Sequence, residues 1–100
     1  MPEKKFTHSD AWIYLCIPLN KPGIDRPSIL AQADHINQAV PTTEELEGAL
    51  QRGTAAGLIE HQDGKYFFGN QYRSQLKKIF SSNSNPLQTW DILEEFLHTL

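Results

Sequence analysis

Residues 26–68 predict a helix, a turn, a second helix and a β-hairpin in direct succession, an order that restricts the fold more than any other feature of the chain. The second helix begins at Thr42, because Glu45 three residues later completes a capping box of reciprocal hydrogen bonds. Its apolar positions recur at helical spacing: Leu46, Ala49, Leu50 and Gly53. Gly57 ends the helix, and the Asp63-Gly64 pair favours a tight hairpin turn.

The flanking segments predict three further helices and a short strand. Ser9 is the expected N-cap of the first helix, which Pro18 stops, and Asp25 is the expected cap of the next helix. Ile24 is expected to form the short strand. Besides the helix that begins at Thr42, the predicted helices cover residues 9–17, 27–38, 71–80 and 87–100. The chain is therefore expected to be α+β, with a three-helix core, a hairpin of two or three strands and two C-terminal helices. The expected division is residues 1–80, a polar linker at 81–86, and residues 87–100.

Composition limits the compartment and the kinds of partner. A chain of 100 residues is expected to form one domain, and a net charge of −3 gives no general attraction to nucleic acid or anionic membranes. No apolar run approaches membrane-spanning length, and residues 1–5 are not followed by a signal-type apolar stretch, so we expect a cytoplasmic protein. The single cysteine, Cys16, lies in an apolar run and is expected to be a buried hydrophobic residue. A reactive thiol is the alternative, but no cation lies within a helical turn of it.

The helix that begins at Thr42 is the third of the chain, and its junction with the hairpin carries a family resemblance. The segments Ala56-Gly57-Leu58-Ile59-Glu60 and Asp63-Gly64-Lys65-Tyr66 resemble the helix-to-wing junction of MarR-like and penicillinase-repressor-like regulators. Residues 36–46 also resemble small uncharacterised bacterial proteins of the same fold. The resemblance covers residues 10–80 and implies a winged helix, in which a three-helix core carries a β-hairpin wing and the third helix enters DNA. Two departures stand out. The third helix is acidic, and the hairpin continues as Phe67-Phe68-Gly69-Asn70 rather than as a Leu-Thr pair.

The acidic start of that third helix argues against DNA as the partner. Between Ser28 and Tyr66 the sequence holds six carboxylates and two basic side chains. Contacts from Lys and Arg to phosphate supply most non-specific affinity for DNA. Because Glu45 is accounted for by the capping box, Glu44 and Glu47 remain as candidates for binding a basic protein partner. The alternative is that these acids stabilise their own helix through its dipole.

A DNA-binding transcriptional regulator remains the alternative function. It would have to use the basic side chains outside the acidic turn: Arg52, Lys65, Arg73, Lys77 and Lys78. The three on the fourth helix share much of one side of it. A basic helix side is otherwise simply solvated, and docking of acid to base between two copies is a third interpretation.

The last helix is apolar on two sides and predicts self-association. The expected dimer surface consists of Trp90, Leu93, Phe96 and Leu97. A helix apolar on two sides has more surface to bury than one contact requires. The alternative is that it completes the core of its own domain.

Neither catalysis nor metal binding is expected. The four histidines, His8, His35, His61 and His98, lie on separate predicted elements without ligand spacing. No glycine-rich phosphate loop or nucleophile-elbow context is present, so we expect no enzyme and no cofactor. The sequence thus predicts a non-enzymatic module that binds protein, with a homodimer as the expected assembly.

Overall fold

The computed structural model describes residues 6–81 and 85–100. Within those ranges the fold is α+β, as predicted, with five helices and one two-stranded antiparallel hairpin. The elements are α1 (His8–Tyr14), α2 (Arg26–Asn37), α3 (Thr43–Ala55), β1 (Ile59–Gln62), β2 (Lys65–Phe68), α4 (Arg73–Ser81) and α5 (Pro86–Leu97). The middle of the predicted linker, residues 82–84, lies outside the described residues. No described helix is long and apolar enough to cross a membrane.

The first helix begins earlier and ends sooner than predicted. Its N-cap is Thr7 rather than Ser9, because Thr7 and Asp10 form their own capping box. Thr7 Oγ1 accepts from the Asp10 amide at 3.0 Å, and Asp10 Oδ2 accepts from the Thr7 amide at 3.0 Å. The helix ends at Tyr14, after which the amides of Cys16 and Ile17 bond three residues back in tight turns.

The caps of α2 and α3 are confirmed. Asp25 accepts from the Ser28 amide at 3.0 Å and caps α2, which ends at a left-handed Gln38. Thr42 and Glu45 exchange hydrogen bonds of 2.8 and 3.0 Å at the start of α3. Gly57 follows α3 with a φ of 79°, a conformation that glycine adopts at low cost.

The hairpin has the expected turn and a third, short partner. Asp63 and Gly64 both have positive φ, at 55° and 76°, as a two-residue turn of this handedness requires. The Ile24 amide and carbonyl bond to the backbone of Tyr66 at 2.9 and 2.8 Å, so the predicted short strand is a single bridge. Gly23 lies directly against Tyr66, and a Cβ there would be 2.4 Å from the Tyr66 carbonyl oxygen.

The core forms around α1, which packs between α3 and α5. Every residue of α1 from Asp10 to Tyr14 is buried. Three polar side-chain atoms of the core donate to backbone carbonyls: Tyr14 Oη to Ala49 at 2.5 Å, Trp12 Nε1 to Ala33 at 3.0 Å and Trp90 Nε1 to His8 at 2.9 Å. These bonds satisfy donors that burial would otherwise leave costly. They also connect α1 to α2, α3 and α5.

The fifth helix belongs to this same core. Trp90 is 6% exposed, Leu93 0% and Leu97 1%, and Phe96 packs edge-on against Tyr72. Trp90, Leu93 and Leu97 therefore pack inside their own chain, as the alternative expected, whereas Phe96 is half-buried; self-association stays a prediction. The physical reason is that α1 needs a second apolar partner besides α3, and α5 supplies it. The exposed apolar residues of α5 are Leu87 and Ile92.

Candidate functional site

A shallow groove of about 380 Å³ runs between the outer side of α3 and one face of the hairpin. We call it the α3–hairpin groove. Its lining residues are Arg26, Glu47, Leu50, Gln51, Thr54, Ala55, His61 and Tyr66. They come from the start of α2, the length of α3 and both strands. Capping places α2 and α3, and the Asp63-Gly64 turn sets the register that pairs His61 with Tyr66.

Arg26 is the central charged group of the groove, and it is paired. Its guanidinium makes a two-point contact with the Glu47 carboxylate. Its Nε and Nη2 also each lie 3.3 Å from Tyr66 Oη, and the guanidinium carbon lies 5.9 Å from the Tyr66 ring centroid. Glu47, one of the two predicted partner-binding acids, is therefore neutralised within its own chain.

An aromatic pair forms the hairpin side of the groove. The rings of His61 and Tyr66 stack with centroids 4.4 Å apart and planes 9° apart. They are directly opposite each other in the antiparallel register, where side chains on one face lie close enough to interact. His61 is exposed and the Tyr66 ring is buried, so the imidazole covers the edge of the groove.

The two remaining acids of the α3 start have different environments. Glu45 closes its capping box and also accepts from Ser9 Oγ at 3.0 Å. The hydrogen bond from the Thr42 amide, followed by the one from Ser9, lowers the pKa of the Glu45 carboxyl. Glu44 is exposed and forms no ion pair with any residue that the structure describes. Of the two predicted partner-binding acids, Glu47 is paired and Glu44 has no ion-pair partner among the described residues.

Arg52 is not available to DNA, contrary to its predicted role under the alternative. Its Nε and Nη2 lie 2.6 and 2.7 Å from the two carboxylate oxygens of Asp10, which is fully buried. The hydrogen bonds that Arg52 donates to the Asp10 carboxylate raise the pKa of the Arg52 guanidinium. This bidentate geometry is the strong form of an ion pair, so Arg52 is a structural link between α1 and α3.

The other predicted DNA-binding residues lie away from the groove. Lys65 shares a cavity at the hairpin turn with Lys21, and Lys21 shares a second cavity with Arg73. Lys77 and Lys78 are exposed on α4. Successive side chains of a strand point to opposite faces. The Glu60 and Phe67 pair that faces Arg73 is therefore on the reverse face of the hairpin from His61 and Tyr66.

Two functional candidates carried no signal in the sequence. The contact between Arg26 and Glu47 joins residues 21 apart, and no local pattern marks it. Lys21 lies in a loop whose path over the hairpin depends on the close approach of Gly23 to Tyr66. A Pro-Gly turn signal predicts the loop but not its position over the strands.

Cys16, the candidate for a reactive thiol, lies in the core. Cys16 is buried, its thiol lies 3.6 Å from the Trp12 carbonyl, and burial raises its pKa to about 12. At that pKa the reactive thiolate form is scarce at neutral pH. Among residues 6–81 and 85–100, no three His, Cys, Asp or Glu side chains form a group that holds a metal ion.

Comparison of the chain with protein-family models, with curated proteins and with solved structures gave no match.

Proposed function

We propose that this chain is a winged-helix module that binds a segment of another protein in the α3–hairpin groove. The proposal is supported by the order of α2, α3 and hairpin, with Ile24 joined to β2 by a single bridge. In this interpretation α3 occupies the position of a recognition helix and the hairpin is the wing.

One observation carries the choice of protein over DNA. Both arginines that contact α3 or belong to it are paired with carboxylates of the same chain, Arg26 with Glu47 and Arg52 with Asp10. The groove contains no lysine. A DNA-binding surface needs several cations available to phosphates, because those contacts supply the non-specific affinity. The exposed Glu44 adds repulsion at the start of the same helix.

The α3–hairpin groove instead combines aromatic, charged and polar side chains, as protein interfaces do. Arg26 belongs to a residue type enriched at such interfaces, and it lies against the buried Tyr66 ring on which the exposed His61 stacks. Gln51 and Thr54 add an exposed amide and an exposed hydroxyl on α3. These groups both donate and accept, as the backbone of a bound peptide requires.

The experiment uses peptides selected on the wild-type protein from a displayed random library. Their affinities are then measured for wild type, Thr54→Arg and a control, Gln75→Arg. Both substitutions add one arginine at an exposed helical position, but only Thr54 lines the groove. We expect Thr54→Arg to weaken binding by about tenfold or more, roughly the loss of one good contact, and Gln75→Arg to change it little.

A random DNA duplex of about 20 base pairs, titrated at about 50 mM salt where electrostatic binding is strong, provides the second arm. No binding is expected. Clear duplex binding that weakens steeply with added salt would overturn the proposal in favour of a DNA-binding regulator. Peptides that bind all three proteins equally would also overturn it, because the groove would then not be the site.

A further inference from the structure

The reverse face of the hairpin carries a second concavity with a different charge. Its volume is about 430 Å³, and it lies between the hairpin, the loop before α2 and the start of α4. We call it the basic cleft. Its lining residues are Asn20, Lys21, Glu60, Phe67, Asn70 and Arg73. It shares Lys21 with the neighbouring cavity at the hairpin turn, which also contains Lys65.

The two cations of the cleft are held in place without a neutralising partner. The Lys21 ammonium lies 5.6 Å from the centroid of the Phe67 ring. Arg73 donates from Nη2 to the Phe68 carbonyl at 3.0 Å, and its buried Nε meets no acceptor among the described residues. Neither cation forms an ion pair within the described chain. Arg26 and Arg52 differ in this respect, since each is paired with a carboxylate.

The cleft also contains a carboxylate, which limits what it accepts. Glu60 lines the same cavity and forms no ion pair with Lys21 or Arg73. A run of phosphates passing through the cleft would be repelled by Glu60. A peptide with one acidic side chain presents its carboxylate to the two cations. Its backbone N–H groups can also donate hydrogen bonds to the Glu60 carboxylate. Asn20 and Asn70 supply amides that donate and accept.

We propose that the basic cleft binds an acidic peptide segment, with one Asp or Glu carboxylate placed between Lys21 and Arg73. Arginine and lysine form their strongest hydrogen bonds with carboxylates when both groups are charged. A cavity of about 430 Å³ is within the range of sites that enclose several groups rather than one small ion. The inference rests on the proposed function only in that the partner is a protein, because it concerns the opposite face of the hairpin.

The test is a titration of the ¹⁵N-labelled 100-residue chain with an acetylated peptide amide that carries one Glu flanked by Gly and Ser, followed by amide chemical shifts. The same peptide with Gln in place of Glu is the uncharged control. We expect shifts at Lys21, Asn70 and Arg73 with the glutamate peptide and none with the glutamine peptide. The variant Lys21→Gln should weaken binding by about tenfold, the loss expected for one hydrogen bond to a charged group. Its matched control is Lys78→Gln, which removes the same charge from an exposed position outside the cleft.

Three results would overturn the inference. Equal weakening by Lys21→Gln and Lys78→Gln would show diffuse attraction instead of a site. Tighter binding of a single-stranded oligonucleotide than of the glutamate peptide, read at the same amides, would assign the cleft to a polyanion. Absence of shifts at the cleft would refute the inference, even if the peptides selected for the α3–hairpin groove still bound and lost affinity on Thr54→Arg. The proposed function would survive that last result, so the two failures are distinguishable.

Discussion

The ion pair between Asp10 and Arg52 gives the sharpest prediction for the fold. Asp10 is fully buried, whereas the Arg52 side chain is 34% exposed. Replacing Arg52 with Met keeps the helix propensity and most of the side-chain length. Among the described residues, the buried Asp10 carboxylate then retains the Thr7 amide as its hydrogen-bond donor. Removing one partner of a buried pair typically costs about 3–5 kcal/mol. Because water reaches Arg52, we expect a loss at the lower end, about 3 kcal/mol.

The converse change should cost less. Asp10→Asn keeps an oxygen for the Thr7 amide and leaves a guanidinium that is already partly solvated, so we expect a loss of about 2 kcal/mol, the value of a hydrogen bond to a charged group. The double variant removes both charges. We expect it to lose about 3 kcal/mol rather than the sum of the two losses, a coupling of about 2 kcal/mol.

Urea unfolding followed by tryptophan fluorescence measures these free energies directly, since Trp12 and Trp90 are both buried. The control is Arg26→Met, which breaks a pair whose side chains are 44% and 38% exposed. An exposed pair contributes about 1 kcal/mol or less. The reasoning fails if Arg52→Met costs no more than Arg26→Met, or if the two single losses at Asp10 and Arg52 simply add.

Two further predictions concern α5 and the α3 cap. Trp90→Asp places a charge in the core and should lower the free energy of unfolding by about 4 kcal/mol or more, whereas Leu87→Asp at a 55% exposed position of the first helical turn should change it by less than about 0.5 kcal/mol. Urea unfolding tests both, and a Trp90→Asp variant as stable as wild type contradicts this account. Hydrogen bonds lower the folded-state pKa of the Glu45 carboxyl. The stability that this carboxylate gives the fold is therefore present above an unfolded-state pKa of about 4.3, and it is lost as pH falls through the folded-state pKa. Glu45→Gln, which can still form a capping box, should therefore be less stable than wild type near neutral pH and equal to it at pH values below the folded-state pKa of Glu45; a constant difference across pH would contradict the assignment.

The features that the sequence predicted well depend on neighbours in the chain. The cap at Asp25, the capping box at Thr42 and the Asp63-Gly64 turn each use residues within three positions of one another. Their chemistry is therefore visible in a short window of sequence. The Thr7 and Asp10 box has the same spacing and was missed, because Ser9 lies inside it and is itself a good capping residue.

The features that the sequence did not predict depend on contacts between distant segments. Periodicity shows that α5 has two apolar sides, but it does not show which side meets the core. The partners of Glu47 and Arg52 lie 21 and 42 residues away in the sequence. The sequence alone therefore could not show that these two charges are paired within the chain. The start of α3 is acidic in the sequence, but the structure pairs one of its acids, Glu47, with Arg26.

The bond from Trp90 Nε1 to the His8 carbonyl has a consequence for how the molecule opens. It joins residues 82 positions apart, and it anchors a helix of seven residues that is too short to persist alone in water. The helix α1 therefore exists only while α3 and α5 hold it. The amides of its buried, hydrogen-bonded part, residues 11–14, should exchange with deuterated water only through global unfolding, not through local fraying. In kinetic terms, the most protected unit of the fold combines the two most distant described segments of the chain, and it forms only after the costly closure of the chain between them.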